Sequence, residues 1–299
     1  MKYLAPAKVN LYLEILDKRA DGYHRIETVM QTVSLYDELI IEPSRQEVNP
    51  APHRGGHPRP EGRGILTQHL RAGAGLRGGV KVICDHPLLS KEKDNLILRT
   101  VNLLQKFNKK RKGAKIVLKK NIPLASGLGG GSSDAVCVLK GLNQLWELNL
   151  PKKILFSLTK KIGADAPFFL QGGYAYAQGI GEKIFPYPFL PNYWLILVNP
   201  GLALYSKEIY AKYNHLKLTK RRNFNKINKV FWQNLSTAKE IAKNLFNRLE
   251  DVVLPEYSEI AKIKEVLISS GALGSLMSGS GSTVFGIVES EEKGQKILK

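Results

Sequence analysis

The sequence predicts an α/β (α+β) chain of two domains. Three observations predict it: strand-like and helix-like patterns alternate along the chain, a glycine-rich turn runs straight into an amphipathic helix, and 299 residues suffice for about two domains. No internal repeat interrupts the alternation.

Tyr3–Leu16 alternates Val9, Leu11, Leu13 and Ile15 with Lys8, Asn10, Tyr12 and Glu14, a half-buried strand with one polar face. Lys8 and Asn10 project from the same face, about 7 Å apart at two strand rises. Asp21-Gly22 is a turn signal, and Ile26–Ile41 reads as further strand. Leu96–Phe107 has helical spacing, and Ala114–Leu118 is a short strand ending near Lys119 and Lys120. Ala135, Val138, Leu139, Leu142, Leu145 and Trp146 share one face of a helix over Ala135–Leu148. Pro151–Ile162 is a helix with proline in its first turn. Tyr174–Gln178 and Trp194–Val198 read as strands, the chain is mainly helical from Lys207 to about Ser270, and Ser282–Val288 returns to strand.

Composition narrows the class. A hydrophobic share of 43% argues against general disorder. No window approaches the roughly 18 apolar residues of a membrane helix. Lys8 and Glu14 inside the first apolar run argue against a cleaved signal peptide. Cys84 and Cys137 make neither a disulfide framework nor a metal-ligand spacing. The expectation is a soluble cytoplasmic protein.

The net charge of +19 invites a nucleic-acid reading, and its distribution weakens it. Most of it is lysine scattered among acids, with two runs, Lys109–Lys112 and Lys220–Arg222, neither interleaved with aromatics as stacking platforms are. A lysine surface suited to small anionic ligands is the better reading. Residues 43–79 stand apart: they hold six Arg and no Lys, whereas elsewhere Lys outnumbers Arg 32 to 7. With eight Gly, five Pro and no periodicity beyond Ile65–Leu70, the stretch reads as a disordered insertion, or as translation from another frame. It supplies +4 of the charge, six Arg against Glu47 and Glu61.

Chemistry concentrates in four places. The first is Pro123-Leu124-Ala125-Ser126-Gly127-Leu128-Gly129-Gly130-Gly131-Ser132-Ser133-Asp134, ahead of the Ala135 helix. Glycines let backbone N–H groups close on an anion, and the helix dipole favours it. Ser132 or Ser133 could cap the helix or reach a phosphate-bound metal. The loop lacks both the Gly-Lys-Ser/Thr of a Walker A motif and the third glycine of a dinucleotide fingerprint. The second is Gly163-Ala-Asp165-Ala-Pro167-Phe-Phe, where Asp165 follows a helix end and Pro167 stiffens the exit. Asp165 is either a general base or a turn-forming aspartate. The third is Ala5-Pro-Ala-Lys8-Val-Asn10-Leu, whose lysine could neutralise phosphate or hold a carboxylate ionised. The fourth is Ser275-Leu-Met-Ser-Gly279-Ser-Gly281-Ser-Thr283, a second glycine/serine loop.

Taken in this order, Pro-x-Ala-Lys-x-Asn, Gly-Leu-Gly-Gly-Gly-Ser-Ser-Asp and Ser-Gly-Ser-Gly resemble the three motifs of the GHMP kinases. Arg19-Ala-Asp-Gly-Tyr23-His24-Arg, Leu35-Tyr-Asp-Glu-Leu39, Asp94-Asn95-Leu96 and the Asp165 element resemble one branch, the 4-diphosphocytidyl-2-C-methyl-D-erythritol kinases. The resemblance covers nearly the whole chain and departs from the branch at 43–79, where only a short strand-and-turn connection is expected.

The resemblance implies a two-domain GHMP kinase fold, with an N-terminal nucleotide-binding domain like domain 2 of ribosomal protein S5 over 1–161 and a smaller C-terminal α+β domain over 162–299. It implies ATP on Pro123–Ser133, Mg²⁺ with it, and phosphorylation of the substrate's 2-hydroxyl in isoprenoid-precursor synthesis. Asp165 matches the catalytic base and Lys8 its partner. Asn10, Tyr23 and His24 match residues that receive the diphosphocytidyl substrate, with His24 on the cytosine edge and Tyr210 completing an aromatic clamp. Asp134, the rival acid, is assigned to the helix dipole or the metal. The metal ligands are left open. The expected partner is the small molecule alone, without nucleic acid or membrane, in a monomer or homodimer. The alternatives are another GHMP kinase, of mevalonate or homoserine type, and a basic nucleic-acid-binding protein.

Overall fold

The structure, a computed structural model, describes residues 1–44, 69–71, 79–86, 95–189, 192–214 and 229–299. Most of the 43–79 stretch, Asp94 and the Lys220–Arg222 run lie outside the described residues.

The chain opens with two long strands, β1 (Lys2–Lys18) and β2 (His24–Glu42), joined by a turn whose Gly22 has φ +87°. There follow β3 (His69–Arg71), β4 (Val80–Cys84), α1 (Leu96–Gln105) and β5 (Ala114–Lys119). Next come α2 (Gly130–Leu145), α3 (Lys152–Ile162), α4 (Ala166–Gln171), β6 (Tyr174–Gly179), β7 (Lys183–Pro186) and β8 (Trp194–Val198). The remainder is α5 (Ser206–Tyr213), α6 (Lys229–Gln233), α7 (Ala238–Lys243), β9 (Phe246–Asn247), α8 (Glu250–Glu256) and α9 (Ser258–Ser269). It closes with β10 (Gly274–Met277), β11 (Val284–Val288) and α10 (Glu291–Ile297). None of the described helices is long and apolar enough to cross a membrane.

Two compact units emerge, neither contiguous in sequence. One comprises Met1–Ala5, Tyr36–Asn121 and Asp134–Ile162; the other comprises Pro6–Leu35, Ile122–Ser133 and Gly163–Lys299. The first has a sheet in which β4 runs parallel to β5, β3 pairs antiparallel with β4, and β5 pairs antiparallel with Glu38–Glu42 of β2. Leu39, Ile41, Ile116, Val101 and Leu104 are fully buried there. Asn95 caps α1, its side chain accepting from Ile97 N at 2.8 Å.

The second unit carries the motifs. Ile26–Gln31 of β2 pairs with β6, β6 pairs with β7, and the two-residue β9 lies parallel to β1, Leu13 opposite Asn247. β11 is the centre of a three-stranded antiparallel sheet, flanked by β8 and β10. One apolar cluster gathers Val9, Leu11, Leu128, Tyr174, Trp232 and Phe285; another gathers Leu13, Ile15, Leu249, Val253, Ile260 and Met277.

Three local expectations need correction. β1 has no solvated face over its middle: Lys8 is 3% exposed and Asn10 2%. Alternation shows that two faces differ in polarity, and here the polar face meets other polar groups inside the protein. The helix expected from Ala135 begins at Gly130, so Ser132 and Ser133 lie inside it and neither is its cap. Ser133 N already donates to Gly129 O at 3.0 Å. Glycine is tolerated in a first turn, whose N–H groups lack intrahelical acceptors in any case. Pro167 starts α4 rather than stiffening a loop exit, its fixed φ suiting a helix's opening positions.

Candidate active site

The site starts from β1. Because Lys8 and Asn10 are two residues apart on one strand, Lys8 Nζ donates to Asn10 Oδ1. Asn10 is held in turn from β2: its Nδ2 donates to Thr28 Oγ1 at 2.8 Å, and that hydroxyl donates to Tyr12 O at 2.6 Å. Thr28 was not among the expected site residues, although its place on the alternating β2 strand was a usable signal. The buried ammonium also faces a carboxylate, Asp165 Oδ2, at 3.5 Å. Asp165 precedes α4 without making a side-chain cap, so the carboxylate turns to Lys8 instead of its own backbone. A turn-forming role is thereby set aside.

The glycine loop closes on the same lysine. Lys8 N donates to Leu128 O at 2.9 Å, and Leu128 is buried in the apolar cluster. Ser126 Oγ folds back on Pro123 O at 2.7 Å, and Leu204 N reaches Ala125 O at 3.0 Å. Gly129, at φ +71°, has no room for a side chain: a Cβ would lie 2.9 Å from the Phe169 ring and 3.1 Å from Lys8 Cε. Loop, lysine and the Asp165 helix therefore meet at Gly129. Beyond it Gly130, Gly131 and Ser132 open α2 with N–H groups that have no intrahelical acceptor, a built-in attraction for anions. Of this loop Pro123 and Gly131 are exposed, Leu124 and Ala125 half-buried. The hydroxyl of Ser133 is buried without a hydrogen-bond partner.

The second glycine loop lies beneath the first. Thr283 N donates to Ser126 O at 3.1 Å, and Ser278 Oγ donates to Gly127 O at 3.0 Å while accepting from Asn10 N at 3.3 Å. Weak as a sequence signal, it touches both the strand of Lys8 and the first loop.

The expected aromatic residues gather a separate cluster. The His24 and Tyr210 rings stack with centroids 5.4 Å apart, Tyr213 meets His24 edge-on at 5.7 Å, and His24 Nε2 bonds Asn214 Oδ1 at 2.9 Å. Tyr213 and Asn214 were not anticipated; their signal was their place one turn beyond Tyr210 on α5. Tyr23 is not part of the stack, standing 59% exposed on the turn before His24. Burial, then the charge of Asp165, raises the Tyr210 hydroxyl well above the ordinary tyrosine value.

Asp134 has a different engagement. In the first unit Lys120 bonds both Asp37 and Asp134, the latter at 2.8 Å, all three nearly fully buried. Asp134 Oδ1 is left without a partner. Its carboxylate is thus committed to a lysine, a partner that its place at a helix N-terminus does not suggest.

Comparison with known proteins decides the lineage. Residues 95–173 match the GHMP kinases N terminal domain and residues 227–299 the GHMP kinases C terminal domain. A 4-diphosphocytidyl-2-C-methyl-D-erythritol kinase of Syntrophus aciditrophicus (strain SB) is 38% identical over 99% of this chain and 92% of its own length. The kinase of that name from Shouchella clausii (strain KSM-K16) is also 38% identical, over 99% and 89%. The chain belongs to the GHMP kinases, in the 4-diphosphocytidyl-2-C-methyl-D-erythritol kinase family. A crystal structure of 4-(cytidine 5'-diphospho)-2C-methyl-D-erythritol kinase superposes with a TM-score of 0.71 at 29% identity, covering 99% of this chain and 93% of that one. L. major mevalonate kinase, at 17% identity and a TM-score of 0.65, shares the fold. The two-domain GHMP kinase fold expected from the motifs is the fold found.

The resemblance implies Mg²⁺ with ATP, and one feature of this chain fits such an ion. A buried serine hydroxyl without a partner, Ser133 Oγ at the head of α2, is a hard oxygen donor of the kind Mg²⁺ takes. Among the described residues no group of three or more His, Cys, Asp or Glu stands close enough together to hold a metal ion.

Proposed function

We infer that this GHMP kinase transfers the γ-phosphoryl group of ATP to the 2-hydroxyl of 4-diphosphocytidyl-2-C-methyl-D-erythritol, with Asp165 as general base. The observation that carries the reading is the placement of Lys8. It lies 3.5 Å from the Asp165 carboxylate and directly under Gly129 of the glycine loop. Phosphoryl transfer asks little covalent chemistry of a protein; it needs an aligned hydroxyl, an acceptor for its proton and compensation for charge on the phosphoryl oxygens.

Each need has a candidate here. The N–H groups of Gly130, Gly131 and Ser132 receive phosphate oxygens, with Pro123–Ser133 as the nucleotide loop. Asp165, a third of whose side chain is exposed, takes the proton from the attacking hydroxyl. Lys8 balances the carboxylate before the reaction and the developing phosphoryl charge during it. Asn10 and Thr28 hold Lys8 in place, so little reorganisation accompanies the transfer. Ser133, with Ser132 beside it, would hold Mg²⁺, and the ion would supply compensation for the negative charge of the transferring phosphates. Tyr23, His24 and Tyr210 receive the cytosine, His24 through its ring edge.

A scattered lysine surface around such a site suits anionic small molecules, and we assign no nucleic-acid or membrane partner. The enzyme is read as cytoplasmic, monomeric or homodimeric, in two domains divided near 161/162. The deciding experiment measures ADP release with the diphosphocytidyl substrate, mevalonate and homoserine in parallel. Turnover confined to the first supports the reading, and preference for either of the others sinks it.

A further inference from the structure

The second glycine loop carries no charged side chain, yet its carbonyls and hydroxyls set the floor beneath Gly127 and beside Lys8. A Cβ on Gly279 would lie 3.2 Å from Asn10 Oδ1 and 3.3 Å from Lys8 Nζ, so any drift of this loop changes the surroundings of the lysine. Several residues bond to the loop, among them Glu250, whose Oε1 accepts from Met277 N at 2.8 Å, and Asn199, whose Nδ2 donates to Thr283 Oγ1 at 2.9 Å; one makes two bonds to its backbone carbonyls. Asn247, 2% exposed, donates both amide hydrogens to it, to Met277 O at 2.8 Å and to Gly279 O at 2.7 Å. Its Oδ1 accepts from Leu249 N at 3.0 Å, which settles which way the amide points.

Asn247 is itself indexed to the catalytic strand. It pairs in parallel register with Leu13 of β1, and Arg248 N donates to Leu13 O at 2.8 Å. Strand β1 thus reaches the second glycine loop by two routes, directly through Asn10 N and Ser278 Oγ, and through the Asn247 amide. The side chain touches neither the Lys8–Asp165 pair nor the first glycine loop in any contact above. We propose that Asn247 is a positioning residue that locks the second glycine loop to the register of β1, and so sets the placement of Lys8 and Gly127 for phosphoryl transfer. This rests on the kinase reading given above.

The chemistry dictates the variants. Asn247→Asp keeps the shape and replaces two donors by an acceptor facing two carbonyls. Asn247→Ala removes both donors, and Asn247→Ser keeps one. Leu104→Ala, a cavity beneath α1 in the first unit, serves as the stability-matched control. On protein verified as folded at the assay temperature, Asn247→Asp and Asn247→Ala should lower kcat at saturating substrates at least tenfold. Leu104→Ala should lower Tm comparably and keep kcat within twofold. Amide exchange of peptides covering residues 276–284 and 124–130 should speed up in the Asn247 variants and stay at wild-type rates in the control. Wild-type kcat and exchange in folded Asn247→Ala, or kcat following Tm across all variants, overturns the proposal. Should the first two variants not fold, Asn247→Ser decides it, wild-type exchange counting against. A wild-type protein without turnover would instead defeat the kinase reading, while the exchange comparison still decides whether Asn247 fixes the loop.

Discussion

Lys8 Nζ and Asp165 Oδ2 stand 3.5 Å apart with unequal exposure, the lysine side chain 4% and the aspartate 34%. The fold fixes the cation, and the carboxylate stays within reach of a substrate hydroxyl. Asp165→Asn keeps shape and volume and removes the proton acceptor. It should lower kcat by about 10²–10⁴-fold, the usual contribution of a positioned base. Asp165 caps no helix through its side chain, but its loss leaves the buried Lys8 ammonium without its carboxylate, so the fold should persist with Tm lowered by several degrees. Kinetics by ADP release with a thermal melt check both, and near wild-type turnover removes Asp165 from the role of base.

His24 is held by Asn214 at its Nε2 and by the Tyr210 ring on its face. A residue that orients the cytosine contributes to binding in the ground and transition states alike, so its loss falls on KM. His24→Ala should raise KM for the diphosphocytidyl substrate about tenfold, as loss of one hydrogen bond of about 1.4 kcal/mol would. The KM for ATP should stay within about twofold. An equal rise in both constants would mean that the cluster supports the nucleotide loop instead.

Much of this site could be read from the sequence because local rules govern those parts. Lys8 and Asn10 share a face by the two-residue period of a strand, and the glycine loop announces itself by composition next to an apolar helix. What escaped notice depends on three-dimensional register. Asn247 sits in Phe-Asn-Arg-Leu, which reads as part of a helical stretch, and only its pairing with Leu13 brings its amide to the second glycine loop. Lys120 joins Asp37 and Asp134 across gaps of 83 and 14 residues, and neither gap carries a periodic signal. The burial of Lys8 was missed for a related reason: alternation cannot distinguish a face turned to water from one turned to an interior polar site.

Gly127 has φ +77°, and a Cβ there would lie 1.9 Å from Ser278 O, a backbone atom that cannot swing aside. Gly127→Ala therefore combines left-handed backbone strain with a clash between the two glycine loops. The expected cost is at least about 3 kcal/mol, with nucleotide binding lost along with it. Gly172, also at positive φ but with nothing within 4 Å of where a Cβ would sit, isolates the backbone contribution. Gly172→Ala, at ψ −177° in a region open essentially to glycine alone, should cost about 1–3 kcal/mol and spare ATP affinity. Melting curves and ADP titrations on the two variants would expose the idea as wrong if they behaved alike.

Asp134 supplies a pH test. Burial pushes its carboxyl up to about 7, with Lys120 pulling it down and Asp37 adding to the rise, against an ordinary value of 3.8. Burial works against the Lys120 ammonium, and the charges of Asp134 and Asp37 more than offset it, so this lysine is held above its ordinary value and stays charged. Between about pH 4 and pH 7 the folded chain keeps a proton on Asp134 that the unfolded chain has released. Stability from this group therefore falls as pH rises through that window and is level above it. Two carboxylates on one buried lysine leave an excess negative charge that Asp134→Asn removes. The variant should melt about 2–4 °C above wild type at pH 8, with the gap closing towards pH 5 as wild-type Asp134 takes up its proton. If the variant instead melts several degrees lower at pH 8, Asp134 is a net-favourable partner of Lys120 and the excess-charge account fails.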